Sequence, residues 1–151
     1  MTIGIADVLS HIGSHAKKLG LFRTVMLHEP KSAPSSGAVA IWVQSVEPVP
    51  DRSGLDKVSI LLTVNIRIYA NMLQEPQDAI DRDLLTAADL LLTEYAGDFD
   101  LGDENRTVDM FGSAGDLMRT ELGYINQDGT LFRVCVITLP VLINDVWNEV
   151  A

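Results

Sequence analysis

A long alternating segment, Ser59 to Ala70, limits what this chain can fold into more than any other stretch. Ile60, Leu62, Val64, Ile66, Ile68 and Ala70 share one face. Ser59, Thr63, Asn65 and Arg67 share the other, with Leu61 and Tyr69 as apolar exceptions. Period-two patterning of this kind predicts a strand with one buried and one half-exposed face, as in an antiparallel sheet. At about 3.3 Å per residue it reaches roughly 40 Å, longer than a typical strand. The period then changes. After Asn71-Met72-Leu73-Gln74-Glu75-Pro76, the residues Ile80, Leu84, Ala87, Ala88, Leu91, Leu92 and Tyr95 recur at helical spacing. Pro76 suits the first helical position, where its missing N–H costs nothing. Asp78 and Asp81 suit the positive end of the helix dipole, and Gly97 suits the stop.

The flanking segments read as shorter elements. Ile5, Val8, Leu9, Ile12, Ala16 and Leu19 make an apolar stripe that predicts a helix over 3–19, capped by Thr2 and ended by Gly20. Leu21 to His28 reads as a strand, and 29–37, rich in Pro, Ser and Gly, as a loop. Ala38 to Val46 reads as a second strand, with Val39, Ile41 and Val43 on one face. Pro48, Pro50 and Gly54 then punctuate a projecting loop, Glu47 to Asp56. Residues 98–105 form an acidic loop, Thr107 to Met110 a short strand, and Phe111 to Gly115 a flexible link. Met118–Asn126 and Thr130–Leu139 read as a hairpin about Asp128-Gly129, a pair that tolerates positive φ. The second hairpin strand is apolar on both faces and is therefore expected at the centre of its sheet. Pro140 is expected to interrupt the ladder, so that 141–151 leaves the body as a C-terminal tail. The pattern as a whole predicts one α+β domain over 1–151.

Composition excludes several classes. The chain has 151 residues, 47% hydrophobic, enough for a substantial core and unlike a disordered chain. Its apolar runs are far short of a membrane span, and its first residues lack a signal-peptide pattern. The single cysteine, Cys135, allows no internal disulfide, which fits a reducing cytoplasm. Net charge is −10, and the ten acidic residues between Glu75 and Glu104 face a single basic one, Arg82. Tight nucleic-acid binding, which needs a basic patch, is not expected.

Candidate chemistry is thin. His11 and His15 stand four apart on the first helix, a spacing that would let both reach one metal. A zinc site needs at least one more ligand, and no acidic or cysteine partner lies near them in sequence, so a partly exposed structural pair is expected. Asp98, Asp100 and Asp103 suggest a calcium loop, but the sixth and twelfth positions counted from Asp98 are Asp103 and Asp109, where that template needs Gly and Glu. Cys135 reads as a small core residue. No nucleophile elbow, phosphate loop or Cys-x-x-Cys pair occurs. The residues predict no enzyme, no cofactor and no obligatory metal.

Several segments together resemble the tail terminator, or tail completion, proteins of long-tailed bacteriophages that infect actinobacteria. The matching stretches are IWVQSVEPVPDRSGL (41–55), NIRIYANMLQEPQDAID (65–81), YAGDFDLG (95–102), GYINQDGTLFRVCVITLP (123–140) and INDVW (143–147). The 65–81 segment is the most specific, since secondary structure alone does not dictate its order. The resemblance covers most of residues 41–147 and the first 35 less clearly.

The resemblance implies a small α+β subunit, a mainly antiparallel or mixed sheet backed by an N-terminal helix and a long central helix, assembled as a hexameric ring. Such rings cap the tail tube, stop its polymerisation, and face the head-completion or stopper protein of the neck. Genomic DNA passes through the lumen without specific binding. The family is not enzymatic, and its place is the virion, after assembly in the host cytoplasm. Two surfaces are expected to make the contacts. Pro48 and Pro50 stiffen the projecting loop, and Asp51 and Arg52 supply polar recognition at its tip. Leu142, Ile143 and Trp147, in the tail after Pro140, exceed one domain's need and suit a symmetric interface. Another neck protein of the head-closure type, or a hydrolase or ligand-binding domain using the acidic loop, stays open as an alternative.

Overall fold

The period-two segment forms strand β3 (Lys57–Asn71), in the interior of one sheet, in a computed structural model that describes residues 2–35, 37–71, 77–115 and 117–150. Strands β2 (Ala38–Pro48) and β6 (Thr130–Asn148) flank β3, both antiparallel to it. A short strand, β1 (Thr24–Met26), adds to β2 in parallel. The outer edge of β6 is shared. β5 (Arg119–Gln127) pairs with Thr130–Thr138, and β4 (Arg106–Val108) with Val141–Ile143. Two helices, α1 (Ile5–Leu19) and α2 (Ile80–Gly97), pack against one face of the sheet. The molecule is an α+β domain with a mixed, mostly antiparallel sheet.

The main core lies between the helices and that face. Val8, Ile12 and Ala16 of α1 meet Ile80, Leu84, Ala88, Leu91 and Tyr95 of α2 and the even-numbered face of β3, Ile60 to Ala70. Burying each large side chain contributes about 1.5–3 kcal/mol, so the predicted helix stripes account for much of the stability. Tyr95 adds a polar tie: its hydroxyl donates to the carbonyl of Ile12 at 3.1 Å. Its burial beside Glu94 pushes the phenol pKa upward. Cys135 is buried in the same core, and burial pushes its thiol up to about 11.

The opposite face is less exposed than its polar residues predict. Ser59 is fully buried and Thr63 is 5% exposed. One end is covered where Val49, Leu61 and Leu142 cluster with Ala114. At the other end Tyr69, Phe132 and Val134 pack with Met26 and Ala33. The 29–35 loop is held there by the Ala33 amide, which donates to Asp128 Oδ2, and by Gln127 Nε2, which donates to the Pro30 carbonyl. Arg67 crosses the middle of this face over the Trp42 ring, 4.8 Å from its centroid.

The hairpin turn matches its sequence: Asp128 and Gly129 take φ of 52° and 78°, as a two-residue type I′ turn requires. Other elements depart from the reading. α1 begins at Ile5 after a left-handed Gly4, and Thr2 does not cap it. The first strand shrinks to Thr24–Met26. Pro76 lies outside the described residues, and a 3-10 turn, Gln77–Ala79, leads into α2.

The largest correction concerns the C-terminus. Residues 141–148 do not leave the body as a tail but continue β6. Pro140 sits opposite Thr63, and its carbonyl accepts the Asp109 amide at 2.9 Å on the outer edge. Carbonyl and nitrogen of one strand residue point to the same side, so the missing N–H also faces that edge, where β5 has ended and β4 begins. The β3 ladder therefore runs past the proline. Leu142 and Ile143, each 3% exposed, are core residues of the subunit and not free interface residues. Of the three expected there, Trp147 alone reaches the surface, at 41%.

Candidate functional site

The candidate surfaces are built from apolar side chains that the fold leaves in solvent on hydrogen-bonded turns. The first is the loop between β2 and β3. Val49 is anchored beneath it, against Leu61 and Leu142. Pro50–Arg52 forms one 3-10 turn. Ser53 Oγ donates to the Val49 carbonyl at 2.7 Å and accepts the Ser59 amide at 3.0 Å, while Ser59 Oγ donates to the Arg52 carbonyl at 2.8 Å. These bonds hold Pro48, Pro50, Asp51 and Arg52 outward, all exposed. Leu55, which the residue pattern did not single out, is 99% exposed at the same turn. The end of β6 runs alongside, where the Glu149 amide donates to the Asp56 carbonyl at 2.7 Å. Trp147 and Val150, the latter 89% exposed, thus share this end of the sheet with Leu55.

The second surface follows β4. Asp109 is buried, and its carboxylate accepts the Ser113 amide, the Ser113 hydroxyl and the Ala114 amide at 2.8–2.9 Å. Residues 111–115, expected as a flexible link, are therefore a hydrogen-bonded turn. It projects Phe111, 94% exposed, beside Phe99, 58% exposed. Both rings border a cleft of about 370 Å³ that also touches Tyr95, Ala96 and Met110. The neighbouring segment 98–104 carries Asp98, Asp100, Asp103 and Glu104 and no basic residue.

A larger cleft, about 580 Å³, opens on the other flank of α2. Leu21, Phe22, Ile68, Ile80, Leu84 and Leu90 form its apolar wall, with Arg23, Asp83 and Thr86 among its polar residues. Basic Lys17 and Lys18 stand just before Leu21 in the chain.

His15 ties the two helices together. His15 sits edge-on to Tyr95, with Nδ1 3.1 Å from Glu94 Oε2 and Nε2 2.7 Å from Asp98 Oδ2. Donation to both carboxylates needs protons on both nitrogens. The two nitrogens point apart, so the three groups join the helices and do not converge on one point. His11 Nδ1 lies 3.0 Å from the Asp7 carbonyl of its own helix, and its ring lies against Gly102. Among the described residues no group of three or more His, Cys, Asp or Glu side chains is placed to hold a metal. Nearby, Arg106 donates to Asp7 at 2.7 Å and holds that carboxyl below its ordinary range. Among the described residues no helix is long and apolar enough to cross a membrane.

Sequence reasoning missed Leu55, Phe99 and Phe111. The signal was present: each is a large apolar residue set beside a turn former, in Gly54-Leu55, Phe99-Asp100 and Phe111-Gly112. No protein-family model matches the chain, and no curated protein matches it in sequence.

Proposed function

We propose that this protein is the tail terminator subunit of a long-tailed bacteriophage, a structural component that assembles as a ring of six on the end of the tail tube. The ring ends polymerisation of the tube and presents the surface that meets the head-completion protein. The observation that carries this reading is the placement of Leu55 and Phe111, each more than nine-tenths exposed, on turns held by several hydrogen bonds. A monomer gains nothing by ordering such side chains in water, whereas an assembly buries them. The sequence resemblance over 41–147 supplies the kind of assembly. Net charge of −10 suits a wall past which DNA phosphates slide, because it offers no counterion-release attraction.

The test is reconstitution. The purified chain is added to growing tail tubes, and tube length and end structure are measured by electron microscopy. Capped tubes of uniform length, bearing a six-fold ring, are expected. Tubes that grow unchanged, with no ring at their ends, contradict the reading.

A further inference from the structure

Strand β5 is the one sheet edge that the fold leaves unguarded among the described residues. β1 and β4 have three residues each, too few to template a partner. Beyond β1, the free side of β2 meets a register break between Val43 and Ser45 and ends on Glu47 and Pro48. A bulge, a charge and a proline each deter strand addition. β5 pairs all nine of its residues with β6 in unbroken register, and among the described residues it pairs with no other strand. From Leu122 to Gln127 it carries neither charge nor proline.

The Asp128-Gly129 turn fixes which groups face the open side. Gln127 and Thr130 flank it and exchange both backbone hydrogen bonds, as a two-residue hairpin requires. By alternation Arg119, Glu121, Gly123 and Ile125 also bond to β6, while Thr120, Leu122, Tyr124 and Asn126 turn their N–H and C=O groups outward. The geometry points to a second copy's β5 as the occupant: two subunits join these strands antiparallel about a two-fold axis at Gly123, so that one sheet runs through both. In that register every residue of the strand is paired, and each outward N–H and C=O meets one on the other copy. Leu122 lies beside the other copy's Tyr124 and Thr120 beside its Asn126, each twice, and Gly123 faces Gly123. Tyr124, 63% exposed in one copy, is thereby covered by an apolar neighbour. No like charges oppose one another: Arg119 faces Gln127, and Glu121 faces Ile125, a pair that adds nothing. The strand thus complements itself in backbone and side chain, and the contact closes at two copies. It is a state of the free subunit, separate from the ring, which needs two different patches. It shields the open edge from further strand addition.

Sedimentation of the wild type over a concentration series is the first test, with a shift from one chain to two expected. Tyr124→Pro removes an outward N–H and leaves the ladder to β6 intact. With folding checked by circular dichroism, it should weaken pairing about tenfold or more, since one bond is lost in each copy. Tyr124→Ala, which keeps the N–H, should weaken it less. Introduced thiols read the register. Within 4 Å a Cβ at Gly123 meets only Val134, at 3.9 Å, and the native Cys135 is buried. Opposed residues of a non-hydrogen-bonded pair stand about 4.5 Å apart at Cα, within disulfide reach. Gly123→Cys should therefore crosslink to itself on mild oxidation. Glu121→Cys, displaced by roughly 13 Å from its own copy, should not, but should crosslink when mixed with Ile125→Cys. A wild type that stays a single chain at every concentration overturns the inference, as does Tyr124→Pro that pairs like wild type. Should the proline variant fail to fold, the crosslinks decide: no product from Gly123→Cys, or self-crosslinking of Glu121→Cys, overturns the two-fold register.

Discussion

Ser59 and Asp145 meet where the β3–β6 ladder breaks register: the Asp145 amide donates to Ser59 Oγ at 3.0 Å, and Asp145 takes a left-handed φ of 53°. Val58 pairs with Trp147 and Ile60 with Ile143, so one residue of β3 faces three of β6. The buried hydroxyl fills the gap and also donates to Arg52 in the adjoining loop. Ser59→Ala leaves the part-buried Asp145 N–H and Arg52 carbonyl without this partner. It should cost about 1–3 kcal/mol, read as a lower denaturant midpoint, and should open the 50–54 loop to proteolysis.

The tip of that loop should behave differently from its base. Replacing Asp51 and Arg52 by Gly-Ser, with Ser53 kept, touches only exposed side chains. The subunit should melt as wild type does, yet cap tubes less well. Normal capping by this variant would remove Asp51 and Arg52 from the contact surface.

Leu142 and Ile143 belong to the core, and Trp147 to the surface. Leu142→Ala or Ile143→Ala should each lower stability by about 2–5 kcal/mol, because a cavity is left in packed interior. Trp147→Ala should cost less than either, and its effect should appear in assembly. Equal losses of stability at all three positions, measured by urea unfolding, would contradict this division.

Replacing His11 and His15 together by Ala should leave ring assembly intact. It should lower stability by about 1–3 kcal/mol, because Glu94 and Asp98 lose a shared partner. Zinc or a chelator should not shift the melting temperature of the wild type. Tail joining that is lost in the double variant and needs zinc in the wild type would instead assign the pair a metal role.

Alkaline pH should destabilise the domain through its core. The Cys135 thiol ionises near 9.0 in its ordinary state and at about 11 when folded. Its contribution is therefore fully present below pH 9 and is lost as pH rises through about 11. Tyr95, raised by the same burial, acts in the same direction. At acid pH the reverse holds for Asp7 and Asp81, whose partners Arg106 and Arg133 lower their pKa values. Their contribution is present above about 3.8 and fades only below it. Unfolding curves taken across pH, with Cys135→Ser as the control for the alkaline limb, check both signs.

Much of the fold was legible because local periodicity encodes it. The faces of β3, the stripes of α1 and α2, the Asp128-Gly129 turn and the interior position of β6 all follow from spacing and turn chemistry. The candidate site was legible in part. The exposure of Pro48, Pro50, Asp51 and Arg52 at a loop was legible, since punctuating prolines mark a loop whatever it packs against. Leu55, Phe99 and Phe111 were not, because exposure of an apolar residue depends on what fails to cover it.

The sequence by itself determined the element types and which side of each faces the core, since both depend on residues within a few positions of one another. Tertiary structure alone decided that β6 runs through Pro140, because the lost N–H is harmless only where β5 stops and β4 starts. It alone buried Ser59 against Asp145, 86 positions away, and set His15 between carboxylates 79 and 83 positions away. No local pattern carries such pairings: they exist only once the sheet register and the helix packing have brought distant segments together.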